Sequence, residues 1–191
     1  LENIKDPEII VIDNNSTDES LSVVRLFNDR CNIKVFKINE YTPGKAINIG
    51  VKKSKNETIL ILSGHSQITK LNLKEVKKQL EEYVAVFGNQ NPIYKGKKIS
   101  KRYIWSHFKK NTKIENMFSE IENRSFLHNA FCFYNKSYLE AHPFDENLSG
   151  KEDRYWAIEA INKGKKYLYD SENMICNHYY TKNGATWRGM G

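Results

Sequence analysis

Glu8-Ile9-Ile10-Val11-Ile12-Asp13-Asn14-Asn15-Ser16-Thr17-Asp18-Glu19 decides how the rest of this chain is read. Ile9 to Ile12 is an unbroken apolar run, rich in β-branched residues and without polar alternation, the pattern of a strand covered on both faces of an α/β sheet. The run closes on a carboxylate. Asp13 falls where a parallel strand meets the crevice beyond its carboxyl end, the place where open α/β sheets hold a nucleotide. Asn14, Asn15 and Ser16 form a polar turn, and Ser16 to Glu19 has the spacing of a capping box that opens a helix. The plainer reading is a surface turn whose side chains only cap that helix. What favours a site is the sequence further on.

Working outward, Leu1 to Pro7 reads as the tail of a helix running straight into a central strand. An earlier strand and helix are therefore expected, and the chain is read as a fragment lacking them. Downstream, Leu21, Val24 and Phe27 set a helical stripe, and Ile33 to Ile38 is a second strand candidate. Tyr41 to Gly50 (YTPGKAINIG) is a turn and a short helix, with Ala46, Ile49 and Gly50 as its close-packing face. Thr58 to Leu62 is another buried strand, ending in Ser63-Gly64-His65-Ser66. Asn72 caps a helix with Glu75 at its third position, and Leu73, Val76 and Leu80 keep its stripe. Tyr83 to Phe87 fits either an extension of that helix or a strand, and periodicity leaves both open. Phe126 to Tyr134 reads as a strand and Lys136 to Ala141 as a short helix. Gly150 to Ala157 (GKEDRYWA) opens a helix with two acids in its first turn, and two short strands then lead to His178.

The 191 residues suit one domain with a continuous core. A formal net charge of +7 favours anionic partners without choosing among nucleotides, acidic glycans, nucleic acid or an anionic membrane surface. From Tyr94 to Lys113, Lys95, Lys97, Lys98, Lys101, Arg102, Lys109 and Lys110 interleave with Tyr94, Tyr103, Trp105 and Phe108. Such a mixture suits a nucleic-acid groove or a membrane interface, and equally a solvated helix face with its aromatics turned inward. No nucleic-acid-binding motif is present, so no nucleic-acid partner is expected. Cys31, Cys132 and Cys176 are odd in number and form no CxxC pair, which points to neither a zinc site nor a disulfide framework. A reducing, cytoplasmic setting is expected. No apolar segment approaches the roughly 20 residues of a membrane span.

Taken together, Glu8 to Asp18 (EIIVIDNNSTD), Gly44 to Gly50 (GKAINIG), Ile59 to His65 (ILILSGH) and Gly150 to Ala157 (GKEDRYWA) resemble family 2 of the glycosyltransferases, inverting enzymes of GT-A fold. Each motif alone is weak; four in this succession across most of the chain are specific. The resemblance implies an α/β fold, with a mixed, mostly parallel central sheet flanked by helices. It implies a single domain with a nucleotide-sugar-binding half, 1–88, and an acceptor-binding half, 89–191. It also implies transfer of a hexosyl or N-acetylhexosaminyl group from a nucleotide sugar to an acceptor hydroxyl. A hydroxyl is a poor nucleophile, so a carboxylate must take its proton, and the departing diphosphate needs its charge stabilised. By resemblance Asp153 is the base, Glu152 holds the acceptor, and Asn129 and Trp156 line the acceptor cleft. The plainer account of Glu152 and Asp153 is that acids in a first turn favour the helix dipole. Asp13, Asn15, Ser16, Lys45, Asn48 and Ser63 are assigned by resemblance to the nucleotide.

The sequence departs from the family at Ser63-Gly64-His65, where two acids separated by one residue ordinarily bind manganese or magnesium. Two mechanisms stay open. In one, His65 and His178 ligate a divalent ion of the manganese type, since imidazole suits softer divalent metals. In the other no metal binds, and His65, Lys45 and the basic segment offset the phosphate charge. The missing acids also motivate the alternative of a catalytically degenerate protein that only binds a nucleotide or glycan. The expected acceptor is a glycan or a lipid-linked glycan. The expected setting is bacterial surface-polysaccharide or capsule synthesis, in the cytoplasm with peripheral contact at the inner face of the membrane.

Overall fold

The computed structural model describes residues 7–98 and 106–180. Among these, Glu8–Asp13 forms strand β1, which runs parallel to β2 (Asn32–Lys37) with Glu8 opposite Asn32 and Asp13 opposite Lys37. Parallel partners need a crossover, and α1 (Ser20–Arg25) lies within it. The expected capping box is not made. Glu19 stands at the N-cap without a side-chain bond, and Asp18 Oδ1 instead accepts from the Ser20 N–H at 3.0 Å. Helix α1 therefore begins later than the Ser16-Thr17-Asp18-Glu19 spacing suggests.

Helix α2 (Pro43–Lys53) starts as its sequence dictates, with proline in the first turn and the Thr42 hydroxyl accepting from the Lys45 N–H at 3.2 Å. It buries Gly44, Asn48 and Val51, not the expected face of Ala46, Ile49 and Gly50. The reason is a close backbone approach at Gly44, where a Cβ would stand 2.4 Å from the Asp145 carbonyl oxygen. At Gly50 a Cβ would meet only Ile12 Cγ1, at 3.8 Å. The segment that crowds Gly44 follows helix α4 (Lys136–Ala141), whose first N–H donates to Glu57 O at 2.9 Å.

Compactness divides the described residues into two units that interleave along the chain. One holds the residues up to Ile59 together with Lys136–Glu152, and the other runs from Leu60 to Asn135 and on from Asp153. These are units of packing, and their bounds differ from the expected division at residue 88.

Among the described residues the second unit contains a five-stranded sheet, a four-stranded sheet and a two-stranded antiparallel pair. After β3 (Thr58–Leu62) come β4 (Ser66–Leu71), α3 (Leu73–Gln79), β5 (Ala85–Phe87), β6 (Asn89–Tyr94) and β7 (Lys97–Lys98). Then follow β8 (Lys113–Glu115), β9 (Phe118–Ser119), β10 (Arg124–Ser125), β11 (Phe131–Asn135), α5 (Glu152–Asn162), β12 (Tyr167–Asp170) and β13 (Met174–Tyr180). One sheet has the order β3-β11-β5-β12-β8. In it β5 is parallel to β12 and antiparallel to β11, so the sheet is mixed. The four-stranded sheet has the order β4-β13-β6-β7, with β13 antiparallel to β4 and parallel to β6.

Within Tyr83 to Phe87, open between helix and strand in the sequence, Ala85–Phe87 forms β5. Ala85, Val86 and Phe87 are all fully buried, as a central strand between covered faces requires and an amphipathic helix end does not permit. Val86 turns to a cluster of Val76, Leu80, Phe131, Phe133, Leu168, Met174 and Cys176. Phe87 turns the other way, to the rings of Phe126, Tyr167 and Tyr169 at centroid distances of 6.4, 6.3 and 5.1 Å. Asn72 caps α3 as expected, its Oδ1 accepting from the Glu75 N–H at 3.3 Å. The three cysteines are free. Among the described residues no helix is long and apolar enough to cross a membrane.

Candidate active site

In the first unit the carboxylate that closes β1 is buried, and both its oxygens face the Ser16 N–H, at 3.1 and 3.4 Å. The Ser16 side chain first, and its backbone N–H after it, hold the Asp13 carboxyl below its ordinary value against the opposing effect of desolvation. Asn15 makes the turn possible by adopting φ +54°, in the left-handed region that asparagine tolerates. Its amide reaches Ile38 O and Asn39 Oδ1, both at 3.4 Å. Lys45 extends from the first turn of α2 and pairs with Glu40 at 3.3 Å, both side chains open to solvent.

Asn48 has a different task from the nucleotide contact assigned to it. It is buried, its Nδ2 donating to Phe144 O at 2.8 Å and Glu146 Oε1 at 2.9 Å while its Oδ1 accepts from the Phe144 N–H at 3.0 Å. An amide saturated in this way brackets the loop against α2, and the Thr42 hydroxyl adds a bond to Glu146 O at 2.7 Å. Glu152 is buried in the same unit. The Tyr41 hydroxyl is held above its ordinary value, first by desolvation and then by the Glu152 charge.

In the second unit, Asp153 lies in the first turn of α5 and is 5% exposed. Oδ2 accepts from the Asn129 N–H at 3.0 Å and from Arg154 Nη1 at 2.9 Å, and Oδ1 accepts from the Arg154 N–H at 2.8 Å. A carboxylate has about four lone-pair positions. Among the described residues three N–H donors fill three of them, leaving one on Oδ1. Asn129 thus acts on Asp153 through its backbone. Its side-chain Oδ1 accepts from the Tyr134 hydroxyl at 2.6 Å. Trp156, expected to line the acceptor cleft, is only 4% exposed and packs edge-on against Tyr134 at 5.1 Å. Its ring is part of the core beneath the helix, so the exposed aromatic next to the acids is Tyr155.

Between β3 and β4 the Ser66 N–H donates to Ser63 O at 2.8 Å, closing a turn around Gly64 and His65. The Ser63 N–H is itself spent on Ala130 O at 3.1 Å, and His65 O accepts from the Tyr179 N–H at 2.8 Å. That places His65 over His178 of β13, with ring centroids 4.5 Å apart, and His128 meets His178 edge-on at 6.1 Å. His178 Nδ1 lies 2.8 Å from Gln90 Oε1. Burial, then the neighbouring His128 and His65, pushes the His178 imidazole down to about 2, and desolvation lowers His65 as well. Both rings are therefore neutral at physiological pH, the form that ligates metals. No carboxylate joins them: among the described residues no three His, Cys, Asp or Glu side chains are grouped to hold an ion by themselves.

The basic aromatic segment is described in part. Lys101, Arg102, Tyr103 and Trp105 lie outside the described residues, whereas Phe108 packs against Phe126, His128 and Tyr169.

Residues 1–142 match the family described as Glycosyl transferase family 2. The chain belongs to that family. Among its relatives, the poly(ribitol-phosphate) beta-N-acetylglucosaminyltransferase TarS of Staphylococcus aureus is 31% identical over 78 residues, 40% of this chain and 14% of TarS. The GalNAc(5)-diNAcBac-PP-undecaprenol beta-1,3-glucosyltransferase of Campylobacter jejuni is 31% identical over 164 residues, 81% of this chain and 50% of that enzyme. The crystal structure of S. aureus TarS 1–349 with UDP-GlcNAc shares 20% identity at a TM-score of 0.69, covering 93% of this chain and 50% of TarS 1–349. The complex with UDP gives 21% identity and a TM-score of 0.67, covering 91% of this chain and 51% of that one. The fold is GT-A, and the chain spans at most about half the length of these relatives.

Arg154, Glu122 and Gln90 carry structural tasks beside these groups that the sequence did not single out. Arg154 was in plain view inside GKEDRYWA, yet its partners, Leu127 O at 2.9 Å and Glu122 at 3.8 Å, come from segments about 30 residues away.

Proposed function

We propose that this chain carries the donor-binding and catalytic part of an inverting glycosyltransferase that uses a nucleotide sugar of the UDP-GlcNAc kind. The observation that carries the reading is the Asp153 carboxylate, held at the head of α5 by three N–H groups with one lone-pair position on Oδ1 left over. The acceptor oxygen attacks the anomeric carbon from the face opposite the diphosphate, and its proton passes to Asp153. The bond from that carbon to the phosphate oxygen breaks, the electron pair leaves with the nucleoside diphosphate, and the configuration inverts. A positioned base contributes about 10²–10⁴-fold to such a step.

Asp13, Asn15 and Ser16 are assigned to the nucleoside, and Lys45 and Ser63 are each assigned to the nucleotide's phosphates. Glu152 takes the acceptor. The two neutral imidazoles, His65 and His178, would contribute to holding a divalent ion of the manganese type. Such an ion would supply Lewis-acid stabilisation of the departing diphosphate. Because the Staphylococcus relative is named for a poly(ribitol-phosphate) acceptor and the Campylobacter relative for an undecaprenol-linked one, the acceptor proposed here is a surface glycan or its lipid-linked precursor. The reaction is assigned to the cytoplasmic face of a bacterial membrane.

The replacement of the acidic pair by Ser63-Gly64-His65 favours a second reading, a protein of this fold that binds nucleotide or glycan without turnover. Incubating the full chain with a panel of UDP-, GDP- and dTDP-sugars, with and without manganese, separates the two. Slow donor hydrolysis by the wild type that disappears in Asp153→Asn supports the transferase. Nucleotide binding without hydrolysis of any donor supports the binder.

A further inference from the structure

We infer that Arg154 is the positioning residue of this active site: it locks the Asp153 carboxylate so that Oδ1 alone is presented to the acceptor hydroxyl. The inference rests on Asp153 acting as the base. Arg154 and Asp153 are consecutive, and on a regular helix consecutive side chains do not face each other. Yet the Arg154 guanidinium turns back, and Nη1 donates to both Asp153 Oδ2 and Leu127 O, each at 2.9 Å. It is held in that pose from outside the helix. Nη2 lies 3.8 Å from Glu122 Oε1, in the turn that joins β9 to β10, and the guanidinium carbon sits 4.4 Å above the Phe126 ring. Both ionic side chains are buried, each 6% exposed.

This arrangement is more than neutralisation of a buried acid. A cation placed anywhere nearby would neutralise Asp153. The planar fork, gripped by a carbonyl, a carboxylate and a ring face, fixes direction as well. With Oδ2 held by Arg154 and the Asn129 N–H, and Oδ1 by the Arg154 N–H, rotation of the carboxyl about its last bond would break three bonds at once. Proton transfer from an acceptor hydroxyl therefore has one geometry open to it. Glu122 enters as the residue that keeps Arg154 in place, since its Oε1 pairs with Nη2 whereas Asp153 is bound through Nη1.

The full chain carrying Arg154→Met tests this with UDP-GlcNAc hydrolysis as the readout. Loss of orientation of a reacting group costs roughly 10²-fold, and that loss is expected in kcat while KM for UDP-GlcNAc stays within about twofold of the wild type. Glu122→Gln is expected to show the same split with a smaller loss. The deciding comparison is Asp153→Asn against the Asp153→Asn/Arg154→Met double variant. If Arg154 works through Asp153, the second substitution removes nothing further; the same loss in both backgrounds overturns the inference. A crystal structure of Arg154→Met supplies a readout independent of turnover. Displacement of Asp153 Oδ2 from the Asn129 N–H supports positioning, and an unmoved carboxylate overturns it. Should the wild type hydrolyse no donor, the proposed function fails while the crystal structure still decides the positioning.

Discussion

Gly44 and Gly50 open and close the same GKAINIG string, and replacing each with alanine should have opposite effects. A Cβ on Gly44 meets Asp145 O at 2.4 Å, Asp145 C at 3.0 Å and Phe144 Cβ at 3.3 Å, mostly backbone atoms with no rotamer to yield. Overpacking of this kind costs about 1–3 kcal/mol. As the helix recoils, the paired bonds between the Asn48 amide and the Phe144 backbone weaken, at about 1 kcal/mol each. Alanine's better helix propensity returns less than about 1 kcal/mol. Gly44→Ala is therefore expected to lose about 2–5 kcal/mol, or roughly 4–20 °C of melting temperature for a chain of this size. At Gly50 the nearest atom is 3.8 Å away, so only the propensity term remains and Gly50→Ala should gain up to about 1 kcal/mol. Urea denaturation followed by circular dichroism measures both. A Gly44→Ala variant as stable as wild type, or a Gly50→Ala variant less stable than Gly44→Ala, refutes the placement of α2 against the 144–146 loop.

Three further outcomes follow from the same structure. Met174 is fully buried in the Val86 cluster, so Met174→Ala should cost about 2–5 kcal/mol in the same assay. The Glu8 carboxyl is held below its ordinary value of 4.5, first by the bond from Lys34 at 2.7 Å and then by the Lys55 N–H. A lowered carboxyl pKa means stability that is present above pH 4.5 and lost as the pH falls through the folded-state value. Glu8→Gln should cost less than about 1 kcal/mol at pH 7, because Lys34 is partly solvated, and the two proteins should converge in acid. For the metal, calorimetric titration of chelator-treated protein with UDP should show tighter binding when manganese is added. That gain should vanish in His65→Ala, and equal gains in both proteins would remove His65 from the ion.

Much of this was legible in the chain because its signals are local. The Ile9 to Ile12 run, the Asn72 cap and the two acids at the head of α5 each act within a few residues, and the structure places them as strand, cap and first turn. What escaped are features settled by tertiary contact. Asn48 looks like a polar residue on an exposed helix face until the loop at 144–146 closes over it. The small residue that lets α2 pack closely is Gly44, and no periodicity distinguishes it from Gly50 when the crowding atom is a carbonyl about 100 residues away. Tyr83 to Phe87 was ambiguous because a short apolar run has no period, and only the burial of Ala85–Phe87 on both faces makes that part β5. The indole of Trp156 and the phenol of Tyr155 are adjacent in sequence, and the packing of α5 decides which is buried.

The central claim is that Asp153 deprotonates the nucleophile in an inverting displacement. Its most direct test is proton NMR of UDP-GlcNAc hydrolysis by the full chain, following the anomeric signal of the first sugar released. The expected result is β-N-acetylglucosamine from the α-linked donor, at a rate that falls at least about 10²-fold in Asp153→Asn while UDP affinity is retained. First release of the α anomer, or a variant as fast as the wild type, contradicts it.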